Sequence, residues 1–308
     1  MSDLSPLEDK SKRNLISPGD ADEAEIEASR APLMEHLLEL RTRLIWMVIA
    51  FAVAFGICFY VAGDIYIFLL HPLDMAGRIF EEQRAAGHKA GPFDLVEVLF
   101  GLKAAPAIVA GMAKGPSLIY TSPLEFFFTK MKVAMFGAVI LSFPIIAWQL
   151  YRFVAPGLYR RERNAFLPFL FAAPLLFVLG AALVYFMILP MVLWFALSQQ
   201  IMTPGVSVTA MFKVSDYLQL VTTLMLAFGM CFQLPIVITL LGLAGIVTSK
   251  MLSTFRRYAI LGIVIVAAVV TPPDPISQLM LSIPIVLLYE ISIWCVKVVE
   301  FRKPKATA

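Results

Sequence analysis

The chain has 308 residues, 60% of them hydrophobic and only 15% charged, with a net charge of +3 and a mean hydropathy of +0.82. Apolar runs recur at about 20 residues, the length a helix needs to cross a hydrocarbon core, so an ordinary soluble domain is excluded. The small net charge, without basic patches interleaved with aromatics, gives no ground for nucleic-acid binding.

In lipid each backbone polar group must be satisfied within its own segment. Runs this long and continuously apolar therefore read as helices and not as barrel strands, and the expected class is an all-α polytopic membrane protein. Cys58, Cys231 and Cys295 sit singly in apolar runs and read as packing residues. No metal, cofactor or enzymatic chemistry is indicated. His36, His71 and His88 lie far apart, and serine never occurs with a plausible base.

Residues 1–31 are polar and acid-rich, with Asp20, Asp22, Glu23, Glu25 and Glu27. They lack the basic start and apolar middle of a signal, so a disordered tail of cytoplasmic type is expected. Pro32 can open a helix. Over Met34–Leu44, Leu33, Leu37, Leu40 and Leu44 fall on one face and Glu35, Glu39 and Arg43 on another. Spans are predicted at about 44–63, 122–150, 165–197, 214–245, 257–270 and 276–296, within a membrane domain over 32–298, followed by a tail at 299–308. Residues 64–121 mix glycine, proline and both charge signs and read as a long outer loop.

The second span starts with Ser122 as a cap and Glu125 three residues on. Lys130 and Lys132 near its start can snorkel outward. Pro144, and then Pro168, Pro174 and Pro190 in the third span, predict kinks that shape a concave wall. The fifth apolar run, 258–270, is about two-thirds of a normal span, so short fifth and sixth helices are expected, with local thinning of the bilayer easing assembly of a pathway. Between them Pro272 and Pro273 enforce a tight turn, where Asp274 can cap the next helix.

About two-thirds of the lysines and arginines fall in the amino segment, the segments 151–164 and 243–257, and the carboxy tail, which puts both termini in the cytoplasm. Ionisable residues within the spans are few, which argues against a proton pump or ion-coupled permease. Glu39 can form a surface ion pair with Arg43, or its carboxylate can take a guest guanidinium through two parallel hydrogen bonds. Glu162, between Arg161 and Arg163, is either a solvated loop residue or a second such acid. Gln233 lies mid-span, where an amide needs a partner. Glu290 reads equally as interfacial or buried.

HLLELRTRL at His36–Leu44, FVAPGLYRRERN at Phe153–Asn164, AFGMCFQLPIVI at Ala227–Ile238 and TPPDPISQ at Thr271–Gln278 together resemble the TatC family of the twin-arginine protein translocase. SPLEFFFTKMKVA at Ser122–Ala134 and YEISI at Tyr289–Ile293 strengthen the resemblance. It implies a receptor in the bacterial inner membrane that binds paired-arginine signal peptides. With TatA- and TatB-type single-span partners, and as a homo-oligomer, it would export folded proteins using the proton-motive force. The resemblance assigns signal recognition to Glu39 and Glu162, supported by Leu40, Arg41, Phe153, Pro156 and Leu158. It assigns a partner-helix site to Thr271, Gln278 and Ala268, and outer-side functional positions to Pro72, Tyr185 and Asp274. Gln233 stands where the family often has glutamate, and it cannot titrate. The alternative class is a secondary transporter of small molecules, which predicts matching halves that are not visible here.

Overall fold

Among the described residues, six helical stretches are long and apolar enough to cross a membrane: Leu38–Tyr60, Glu125–Leu150, Phe169–Ser198, Val214–Leu243, Ser249–Val270 and Gln278–Phe301. The structure is a computed structural model that describes residues 18–85, 118–154, 163–203, 206–208, 210–270 and 275–302. Its helices are α1 (Pro18–Tyr60), α2 (Ala62–Ala85), α3 (Glu125–Val154), α4 (Arg163–Leu183), α5 (Leu189–Ser198), α6 (Val214–Cys231), α7 (Leu234–Leu243), α8 (Ser249–Val270) and α9 (Pro275–Arg302). A π turn, Val184–Ile188, joins α4 to α5 in the third span. Below, "inner" denotes the side bearing the basic segments and "outer" the other.

Among the described residues, two short strand pairs lie on the outer side. β1 (Leu118–Ile119) runs parallel to β4 (Phe212–Lys213), and β2 (Ile201–Thr203) is antiparallel to β3 (Val206–Val208).

Three elements differ from the sequence-based expectation. The first helix includes residues 18–31, which composition had placed in a disordered tail; alanine and glutamate, frequent there, are strong helix formers. The predicted outer loop begins as the 24-residue helix α2, with Pro72 inside it. Leu69, Leu73, Ala76 and Ile79 recur at helical spacing and are buried in the main core, so tertiary burial overrides the break that proline signals. Finally, α8 has 22 residues, because the polar start 249–257 continues the apolar run as helix. At 1.5 Å per residue that is about 33 Å, enough to cross a bilayer, and α9 is longer still at 28 residues. The helices themselves are therefore not short, while the apolar part of α8 remains 258–270, preceded by Arg256 and Arg257.

Packing runs from α1 on α3, through α3 on α4 and α6, to α7 on α9 and α9 on α8. The α4–α6 contact is tight. A Cβ on Gly180 of α4 would stand 2.8 Å from the Phe228 carbonyl oxygen and the Phe232 ring, and one on Gly229 of α6 would stand 2.7 Å from the Phe177 ring. Each glycine thus receives an aromatic residue of the facing helix. Phe177 also stacks on Phe143 of α3 at 4.1 Å, which ties three spans together.

The fourth span breaks at Phe232-Gln233. Pro235, in the first turn of α7, lacks the N–H that would continue the ladder. At the outer end of α3, Lys130 stands 5.3 Å from the Phe59 ring centre on α1, and Lys132 donates to Gln219 Oε1 of α6 at 3.3 Å. Both lysines predicted to snorkel therefore have partners on neighbouring helices.

Candidate signal-peptide and partner sites

Glu39 lies on α1 just before its apolar stretch. Arg43, one turn on, donates through Nε to Glu39 Oε1 at 3.1 Å, and its Nη2 reaches the same oxygen. The guanidinium side chain is only 13% exposed and the carboxylate side chain 36%. The arginine is thus packed away and the acid turned more toward solvent. Leu40 and Arg41 beside it are exposed.

The register of α1 on α3 follows from Lys130 over Phe59 and from Gly137 against Cys58. From that contact it is about 29 Å, at 1.5 Å per residue, back along α1 to Glu39, and the same length along the antiparallel α3 reaches its inner end. Glu39 is therefore level with half-buried Phe153 near the end of α3. Pro156, Leu158 and Glu162 lie outside the described residues. The structure thus relates Glu39 to Phe153 and leaves the second acid unplaced.

The partner-helix residues divide in the same way. Ala268 is exposed on α8, on an open face with Leu261, Ile265 and Val269, the last 81% exposed. Half-buried Gln278 of α9 instead donates Nε2 to the Val264 carbonyl of α8 at 3.2 Å, so its amide fastens the two helices to each other. Thr271 and the proposed cap Asp274 lie outside the described residues.

Gln233 sits in the break of the fourth span and donates Nε2 to the Ala173 carbonyl of α4 at 2.9 Å. That is the helix-to-helix hydrogen bond an intramembrane amide seeks. Glu290 accepts from Arg256 Nε at 2.8 Å and Nη2 at 2.9 Å, a two-pronged ion pair between α9 and α8 with both side chains part-exposed. Of the two sequence readings, interfacial exposure fits. Beside it the Tyr289 hydroxyl donates to the Leu252 carbonyl at 2.9 Å, and Glu300 accepts from the Ser249 N–H at 2.8 Å, capping the start of α8. No motif announced these cross-helix ties, because their members lie 34 to 51 residues apart.

On the outer side Glu125 does more than the expected cap. It accepts from the Thr121 N–H at 2.8 Å and the Thr121 hydroxyl at 3.0 Å, and from the Ser215 N–H of α6 at 3.3 Å, with Lys213 Nζ at 3.9 Å. A buried carboxylate thereby joins the starts of the second and fourth spans, and the residue it reaches back to is Thr121, not Ser122. Pro72 and Tyr185, paired in the sequence reading only as outer-side positions, are linked through Phe68. The Tyr185 hydroxyl donates to the Phe68 carbonyl at 2.8 Å, one turn before Pro72.

The family model described as Sec-independent protein translocase protein (TatC) matches residues 35–284. A TatC from Magnetococcus marinus is 37% identical over 279 residues, 91% of this chain and 89% of that protein. One from Rickettsia prowazekii is 38% identical over 259 residues, 84% of this chain and 90% of the relative. Among solved structures, one described as the twin-arginine translocase receptor TatC superposes with a TM-score of 0.65 at 33% identity, covering 86% of this chain and 99% of that one. These likenesses lend no support to a small-molecule transporter. A six-span α-helical chain that matches the family model over most of its length, and its relatives nearly end to end, belongs to the TatC family, a non-enzymatic family of protein-translocase subunits.

Proposed function

We propose that this protein is the signal receptor of a twin-arginine translocase in a bacterial inner membrane, with both termini cytoplasmic. Glu39 and Glu162 would each take one guanidinium of a paired-arginine signal peptide. Leu40, Arg41, Phe153, Pro156 and Leu158 would shape the surface around them. TatA- and TatB-type helices would dock at α8 and α9 near Ala268, Thr271 and Gln278, and copies of the chain would assemble for export driven by the proton-motive force. Pro72, Tyr185 and Asp274 would serve on the outer side.

The observation that carries this reading is the posture of Glu39. Its carboxylate is more exposed than the arginine that holds it, and it stands level with Phe153 at the inner end of the neighbouring span. A part-exposed carboxylate has the charge and the lone pairs that match a guanidinium, as its pairing with Arg43 shows. The excess of basic residues in the inner segments supports the orientation.

The test is binding of a signal peptide to the full-length protein in nanodiscs, comparing Arg-Arg with Lys-Lys peptides. Glu39→Ala and Glu162→Ala are each expected to weaken the Arg-Arg peptide at least about tenfold, as loss of a hydrogen bond to a charged group does, without lowering Tm. A lysine peptide that binds equally well, with neither substitution mattering, overturns the reading.

A further inference from the structure

Pro72 stands inside α2, and the chain stays helical through it. Proline has no N–H, so the carbonyl four residues back, that of Phe68, loses its ladder donor. The Tyr185 hydroxyl supplies that donor from the π turn of the third span at 2.8 Å. Its ring lies flat on the Phe68 ring, with centres 4.4 Å apart and planes 3° from parallel.

The adjacent carbonyl, that of Leu69, receives the Tyr217 hydroxyl of α6 at 2.6 Å. Leu69 also keeps its ordinary ladder donor, the Leu73 N–H, since residue 73 is not proline and the helix runs on through it. Leu69, Pro72, Leu73, Tyr185 and Tyr217 are buried around these carbonyls, while the Phe68 side chain is exposed.

We propose that Pro72, Tyr185 and Tyr217 form one joint that fastens α2, the helix over the outer side, to the third and fourth spans, with Tyr217 as a positioning residue for α2. The two phenols act differently. Tyr185 replaces a donor that the chain lacks. Tyr217 adds a second donor to a carbonyl whose ladder donor is present. Removing the Tyr185 hydroxyl therefore leaves the Phe68 carbonyl with neither donor, whereas removing that of Tyr217 leaves Leu69 with the Leu73 N–H. Tyr185 lies within the π turn Val184–Ile188, a feature frequent at functional sites.

The difference can be tested by epistasis. Thermal unfolding of the full-length protein in detergent is compared for Tyr185→Phe and Tyr217→Phe, each made alone and each combined with Pro72→Ala. Tyr185→Phe is expected to lower Tm by about 2–4 °C with Pro72 present and by less than half of that in combination with Pro72→Ala, because the restored N–H satisfies Phe68. Tyr217→Phe is expected to cost less than Tyr185→Phe with Pro72 present and to be nearly unaffected by Pro72→Ala. Pro72→Gly also restores the N–H and replaces Pro72→Ala should that variant not fold. Export of a folded paired-arginine reporter should likewise be the same for Pro72→Ala with and without Tyr185→Phe. Equal losses for Tyr185→Phe with and without the proline would mean that the tyrosine merely packs, and would overturn the proposal.

Discussion

The third and fourth spans bury 56% and 50% of their most apolar windows within the chain, the first and fifth only 11% and 6%. Between helices in lipid there is no hydrophobic drive, so tight association rests on close backbone approach and on hydrogen bonds. The central pair has both: Gly180 and Gly229 against phenylalanine rings, and Gln233 on the Ala173 carbonyl. The flanking helices lean chiefly on one neighbour, α1 on α3 and α8 on α9, and their other apolar faces are left uncovered by this chain. Glu39 on α1 and Ala268 on α8, the residues proposed for signal recognition and for partner docking, both stand on these flanks. A rigid centre with sparsely packed edges is the division of labour a receptor with lateral partners needs.

The sharpest way to break this comparison is to add one methyl group at the centre and one at the edge. Gly229→Ala places a carbon 2.7 Å from the Phe177 ring and is expected to cost about 1–3 kcal/mol, read as a drop in Tm. Gly262→Ala on α8 meets nothing within 4 Å and should leave Tm unchanged or slightly raised. If the two substitutions behave alike, the centre is not the rigid element. A finer test is Gln233→Leu, which removes the hydrogen bond to Ala173 and should cost about 0.6 kcal/mol in the same measurement. The smallest effect belongs to the edge. Arg256→Ala breaks the ion pair with Glu290, and with both side chains part-exposed the loss should be no more than a few tenths of a kcal/mol and should shrink further in high salt.

The same division governed what could be read in advance. Spanning helices are written locally, because each must satisfy its own backbone and be apolar along its length, and so six runs sufficed to predict six spans. Glu39 was visible for a similar reason, an acid at helical spacing beside an apolar run, although spacing alone left its pairing with Arg43 and its openness to a guest as alternatives. What composition misjudged was the helix-forming part of the supposed tail, the continuation of the outer loop as α2, and the full length of α8. In the last two, a proline or a polar stretch mimicked an ending. Burial on a neighbouring element decided the outcome for α2, and burial is not a property of a segment.

By itself, then, the sequence determined the class, the number of spans and the motifs that place the chain in its family. Only the tertiary structure decided the partners: Glu290 with Arg256, Glu125 with Ser215, Gln233 with Ala173, and the two phenols at Pro72. The physical reason is that a hydrogen bond between spans joins residues tens to more than a hundred positions apart. Neither member carries a mark of the other until the helices are packed.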